Sequence, residues 1–420
     1  MLRRWPRPLL RLLLLHLSKA LARPLNESSK MSLSISILKP FKPFAGIESA
    51  RSAILLVASA VLLSACSGGS KRPEPAPLAA NVPLIGVKQA WANRIGEVPA
   101  GASPFVAGNT IVVASADGTV AAIDASNGRD IWRASAGAAA VTGAGTDGKL
   151  AAVVTRDNEV VALEAGKQLW KAKLPAQAFT APFVAGARVF VLLADRSVHA
   201  FDGASGKKLW ANQRSNTEPL VLSKAGTILA VGDTLVVGQG GRLVGINPGN
   251  GSVRWEAPIA SPRGTNDIER LVDLVGSTSR IGDVVCARAY QAAVGCVNAS
   301  RGTLLWNKPA NGAEGIHGDS SLVVGSEADG KLIAWRRADG QQAWQTERLA
   351  FRTLSAPLMV GRSVVVGDNN GNLHMLSRED GSPLNRLTTD GSAIIGNPVL
   401  AGDSLVAVTK SGGVFGFRPE

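Results

Sequence analysis

The chain of 420 residues holds one tyrosine, three cysteines and four histidines. Beyond residue 80 it shows no helical periodicity of useful length, so no glycine-rich phosphate loop leads from a strand into a helix. Basic residues are plentiful, but residues 1–65 carry +8 of the formal +13, and no basic stripe interleaved with aromatics follows. That distribution speaks against nucleic-acid binding. Three histidines lie beyond the leader. His199 and His374 occupy equivalent places on two hairpins, where packing between strands is expected, and His317 stands between glycines with no second ligand at metal spacing. No Ser/His/Asp set is singled out. The chain is therefore read as non-catalytic, with no cofactor and no metal.

What is present begins with an export signal. Arg51 precedes the apolar run 53–63, too short to span a bilayer as a helix, and Leu63-Ser64-Ala65-Cys66 ends it. Small residues before a cysteine suit signal-peptidase cleavage and lipidation of Cys66. The stretch SGGSKRPEPAP that follows has the composition of a tether. Several acyl chains would hold such a protein on a membrane stably. Ser67 stands where an aspartate would favour retention at the inner membrane, so the outer membrane is expected. A second apolar run, Leu9 to Leu17, lies upstream of Met31, which is the expected true start. The division is a leader and signal peptide over 1–65, a lipidated cysteine with a flexible tether over 66–81, and a repeat domain over 82–420.

The repeat is written in tryptophan. Ser126-Asn-Gly-Arg-Asp-Ile-Trp132 is echoed by segments ending at Trp170, Trp210, Trp255, Trp306 and Trp344, each with glycine four residues before the ring. A seventh copy, Asp380-Gly-Ser-Pro-Leu-Asn385, has asparagine in place of the ring, and Trp91 heads the domain. Before each Gly-to-Trp segment two β-rich runs flank a tight turn, as at Asp117-Gly118 and Asn370-Gly371, whose residues accept hairpin geometry. A unit of about forty residues built this way is a propeller blade. Residues 398–418 lack a final tryptophan strand, and 84–91 supply one. The fold predicted is an all-β, eight-bladed β-propeller with four-stranded antiparallel blades, its ring closed by pairing of the N-terminal strand with the C-terminal blade.

The Gly-x-x-x-Trp ending after a hairpin is similar to the repeat of pyrroloquinoline-quinone (PQQ) dehydrogenases. Joined to the lipobox-like Leu63-Ser64-Ala65-Cys66, the chain from 53 to 420 resembles the BamB family, propeller lipoproteins of the outer-membrane β-barrel assembly machinery. The resemblance implies a periplasm-facing scaffold that docks on the periplasmic domains of the central barrel-forming subunit and aids unfolded outer-membrane clients. It also implies a docking site. The tryptophan spacing rises to 45 and then 51 in consecutive units, so residues 216–226 and 257–282 are insertions in adjacent blades. In the family, two leucines and an arginine of the first loop and two aspartates of the second make the contact. By position the leucines match Leu220 and Leu222, the arginine falls on Ser223 beside Lys224, and the aspartates fall on Asp273 and Val275. Leu220, Leu222, Leu271, Leu274 and Val275 are expected as an apolar patch, with Lys224, Glu269, Arg270 and Asp273 as its charged rim.

Other readings stay open on the sequence. Cys286 and Cys296 flank the Tyr290-Gln291 turn nearly opposite each other, as a cross-strand disulfide or as two reduced buried thiols. Trp335 lies outside the repeat and is expected to pack between blades. A quinoprotein-type enzyme would need a calcium site, a catalytic aspartate and usually adjacent cysteines, and no cysteines are adjacent here. A ligand in the central channel is the third alternative.

Overall fold

The hairpin turns foreseen from Asp-Gly and Asn-Gly pairs form, with Gly118 at φ 92° and Gly371 at φ 75° joining paired strands. The computed structural model describes residues 73–213, 221–262, 265 and 271–420. Their strands assemble into eight four-stranded antiparallel sheets. Seven blades run in chain order from the innermost to the outermost strand, starting with Phe105–Ala107 in blade one and ending with Pro383–Thr388 in blade seven. Blade eight takes three strands from Ile394–Pro419, and its outermost strand is Val87–Arg94, paired antiparallel with Gly413–Pro419. The first and last strands thus close the ring, as the sequence predicts.

Apolar burial is organised by junctions between blades. Eight clusters form, each shared by two neighbouring blades. The cluster of blades one and two joins Val112 and Val120 to Val153 and Leu163. Strands buried on both faces read as near-continuous apolar runs, which is why period-two alternation is weak here.

The Gly-x-x-x-Trp spacing has a steric cause. The tryptophan of each outer strand lies over the glycine of the next blade's last turn: Trp91 over Gly128, Trp132 over Gly166, Trp170 over Gly206, Trp210 over Gly251, Trp255 over Gly302, Trp306 over Gly340 and Trp344 over Gly381. A methyl group on Gly128 would sit 2.5 Å from the Trp91 ring. The indole N–H donates to a carbonyl three residues before that glycine, from Trp91 to Ala125 at 2.9 Å and from Trp306 to Arg337 at 2.7 Å. Trp170, Trp210 and Trp344 make the equivalent bonds. Asn385 breaks the series for a physical reason. Its neighbour is blade eight, where the chain enters between the third and fourth strands and no such turn exists. Asn385 instead donates to the carbonyl of Ile85 at 2.9 Å.

The flexible tether expected through residue 81 needs correction. From Ala76 onward the chain is strapped to blades six and seven. Ala76 N–H donates to Ala350 at 2.9 Å, and Arg352 donates to the Ala76 carbonyl at 2.9 Å. Leu78 packs on the cluster of Trp344, Leu349 and Leu354. Asn81 donates to Asn385 and to the Arg386 carbonyl, both at 3.1 Å, and Leu84 N–H reaches the Leu384 carbonyl at 2.8 Å. Polar, proline-rich composition signalled a linker, but these donors and one leucine are enough to fix it.

His199 and His374 hold the equivalent buried places expected of them. Each contacts a polar group on its own blade: His199 meets Ser197 at 3.1 Å, and His374 meets Asp368 at 3.0 Å. Burial pushes the His199 imidazole below its usual value, and the Lys208 charge adds to this. At the strap, Arg352 also lies 3.5 Å from Asp368. Burial alone would raise the Asp368 pKa. Hydrogen bonds from His374 and from the side chain and backbone of Asn372, with the His374 charge, outweigh it and bring the carboxyl to about 2 from 3.8.

Two outcomes follow. Gly302→Ala, whose methyl meets the Trp255 ring, is expected to cost about 3–5 kcal/mol, against about 1–2 kcal/mol for Gly282→Ala, which faces open space. Thermal unfolding of both checks the order, and equal losses would remove the steric argument. For Asp368, a folded-state pKa below the unfolded one gives stability that is complete above the unfolded value and disappears as pH falls towards the folded value. Asp368→Asn should therefore cost roughly 2 kcal/mol at neutral pH. The gap to the parent should close between about pH 4 and about pH 2 in unfolding measured across that range.

Candidate docking sector

The two longest connections both leave an outer strand and enter the next blade's innermost strand, so they share one face. One joins blades three and four, from Asn212 to Ile228; the other joins blades four and five, from Pro258 to Leu274. Their described parts meet. Gly226 bridges to Val275, Gly276 N–H donates to the Ala225 carbonyl at 2.8 Å, and Leu222 N–H donates to the Asp273 carboxylate at 2.9 Å. The expected convergence on one sector of one face is therefore present.

The chemistry of that sector differs from the expectation in three residues. Asp273 is buried at 7% exposure, and Leu274 and Val275 are buried at 2% each. None belongs to an open patch or its rim. Val275 pairs with Gly226, and Leu274 enters the cluster of blades four and five. Asp273 is a clamp: Arg196 approaches its Oδ1 with Nη2 at 2.9 Å and Nε at 3.2 Å, while its Oδ2 takes the Leu222 N–H. One carboxylate thus ties together a turn of blade three and both long connections. Leu220, Glu269 and Arg270 lie outside the described residues, as does Cys66.

Arg196 escaped the sequence reading. It stands in the turn between the second and third strands of blade three, where blades one, six, seven and eight carry Gly118, Gly330, Gly371 and Gly412. Arg196 takes the same left-handed backbone at φ 63°, and Gln291 does so in blade five at φ 46°. A side chain there is strained by about 1–2 kcal/mol. A long charged side chain at a turn position that other blades fill with Gly or Asn was the available signal.

The surface left open is apolar. Leu222 and Leu271 are half-buried and line a groove of about 760 Å³ with Val272, Tyr290 and Leu304. Towards the ring axis, Lys224 pairs with Glu314 at 2.6 Å. There the first connection also helps line a central cavity of about 610 Å³, together with Phe105, Phe183 and Met359. His317 lies in that cavity, with its Nδ1 accepting the Met359 N–H at 3.1 Å; burial and then the Arg337 charge hold its pKa low. Among the described residues, no group of three or more His, Cys, Asp or Glu is placed to hold a metal ion.

Cys286 and Cys296 face each other in register across blade five with Cα atoms 3.9 Å apart, and the structure places their sulfurs at bonding distance. Both are fully buried in the cluster of blades five and six, beside Trp335. Trp335 is packed between blades with the Arg288 guanidinium 5.9 Å from its ring centre, and Arg288 pairs with Glu327 at 2.9 Å.

Ring and repeat define the class, an eight-bladed propeller of PQQ-like repeats. The family described as outer membrane protein assembly factor BamB matches residues 87–142, 116–346 and 345–419. The chain belongs to the BamB family of outer membrane protein assembly factors. It is 37% identical over 369 residues to the BamB of Burkholderia pseudomallei (strain K96243), covering 86% of this chain and 97% of that protein. With the BamB of Bordetella pertussis (strain Tohama I) it shares 35% over 368 residues, covering 86% and 95%. The solved BamB from Moraxella catarrhalis superposes with a TM-score of 0.73 at 22% identity, over 79% of this chain and 99% of that one. Quinohemoprotein alcohol dehydrogenase from Comamonas testosteroni superposes at 0.61 with 14% identity, over 84% of this chain and 82% of that one, a likeness of fold alone. Relatives named as assembly factors support a non-enzymatic protein.

The clamp makes a prediction. Asp273→Ala removes the carboxylate that Arg196 and the Leu222 N–H share and should cost about 1–3 kcal/mol. Replacing both partners with apolar residues, Arg196→Met with Asp273→Leu, should recover part of the loss, since the Leu222 N–H still lacks its acceptor. Thermal unfolding with limited proteolysis across 259–273 checks this, and a double variant no better than the single would show that the pair is not the clamp.

Proposed function

We propose that this chain is a lipid-anchored scaffold of the outer-membrane assembly machinery, held at Cys66 and facing the periplasm. It docks through the groove of Leu222 and Leu271, with Lys224 beside it, on the periplasmic domains of the central barrel-forming subunit. The observation that carries the reading is the convergence of the two long connections on the groove of Leu222 and Leu271. Apolar surface between clamped backbone segments suits a protein partner, because little ordering remains to be done on binding. Charge plays the smaller part. Asp273 is satisfied internally, and Lys224 already has Glu314, so the apolar half of the family contact is what this sector presents. Leu220, Glu269 and Arg270 belong to the same proposed surface. Unfolded outer-membrane clients are a second partner. Outer strands with exposed Ile131, Leu169 and Leu209 offer backbone edges to an extended chain. No cofactor enters this work.

Burying a leucine contributes about 1.5–3 kcal/mol, so Leu222→Asp with Leu271→Asp should weaken capture of the central subunit by about 100-fold or more. Copurification from membranes checks it, with a thermal unfolding curve showing that the propeller is intact. A folded double variant that recovers the partner at the parent level would refute the assigned surface.

A further inference from the structure

The strap fixes where the anchored end of the chain leaves the propeller. Residues 79–85 run along the outer strand of blade seven, and Ala76 ends between Ala350 and Arg352 in the connection from blade six to blade seven. That connection lies on the same face as the docking sector, since both link an outer strand to the next inner one. The stretch from Cys66 to Ala76 spans at most about 35 Å when fully extended.

At this exit the connection carries an outlier. Phe351 adopts φ 62° and is 49% exposed, with its N–H donating to the Asp329 carbonyl at 2.6 Å. This backbone region suits glycine or asparagine; a bulky residue there is strained. Strain at an exposed residue marks a functional candidate. Its neighbours Arg348 and Thr353 are exposed. Lys331 pairs with Asp329 at 3.3 Å and Glu347 at 3.2 Å; with Arg348 the local charges balance, so an anionic surface is not repelled.

We propose that the Glu347–Thr353 connection, with Phe351 at its tip, rests on the membrane surface that holds the acyl chains of Cys66. This turns the face bearing the docking sector towards the bilayer. The inference rests on the lipid-anchor reading above. An exposed apolar ring such as Phe351 is favoured at the headgroup–acyl boundary, and a short tether raises the effective concentration of the loop at that surface to about millimolar.

The test uses the full chain in vesicles of phosphatidylethanolamine and phosphatidylglycerol, with mass spectrometry of Cys66 acylation. Thr353→Cys carries a fluorophore beside the loop tip, and Ala204→Cys carries it on the opposite face. Spin-labelled lipid headgroups are expected to quench the Thr353 site several-fold more than the Ala204 site. Phe351→Asn suits the backbone, so it should melt no lower than the parent yet reduce that quenching. Acylated protein with equal quenching at both sites overturns the proposal and leaves the anchor intact. Unacylated Cys66 overturns the anchor reading and the proposal together. Undiminished quenching in Phe351→Asn, or shielding that appears only when the central subunit is added, also overturns it.

Discussion

A tryptophan ring laid over the next blade's glycine is the constraint on which the rest depends. The contact sets the distance between neighbouring blades, because a side chain at the glycine would hold the ring away. The indole N–H then fixes the angle by reaching one particular carbonyl of the neighbouring turn. The ring contact, repeated at seven junctions, and the indole bond, made at five of them, bring the blades round until first and last strands meet. Closure leaves each apolar cluster shared between two blades, so no blade owns a complete core.

The same contact divides the molecule into a side whose geometry repeats from blade to blade and a side whose geometry does not. The glycine turns lie on one face and are tied to rings, so they tolerate little change in length. Connections from outer to inner strands lie on the opposite face and carry no such tie. The two long connections, the Arg196–Asp273 clamp and the exit of the strap are all found there. Variation concentrates where the repeat leaves the backbone free.

Blade count, ring closure and the sector of the insertions were legible because the signals are local. Glycine and tryptophan sit four residues apart, and the unequal spacings point straight to the long connections. Asp273 was misread because its partner is 77 residues away in a turn. An aspartate next to leucines looks like a rim charge until Arg196 is found beside it. Val275 and Leu274 were misread for a related reason: residues at the start of an inner strand look like the end of a loop. The strap was hidden by composition, since its hold depends on backbone carbonyls and on Asn385, which the sequence showed only as a missing ring. Opposed cysteines in one hairpin were visible; their pairing needed coordinates.

Asn385 also shapes how the ring bears load. The junction between blades seven and eight lacks the ring-and-glycine wedge, which makes it the natural parting line of the closed structure. A tug on the chain upstream of residue 76 arrives beside that line, through residues 76–85. Because those residues lie lengthwise along blade seven, the tug loads several hydrogen bonds in shear at once instead of peeling them singly. The asparagine that spoils the repeat thus serves as a cleat, taking up the line before the seam feels it.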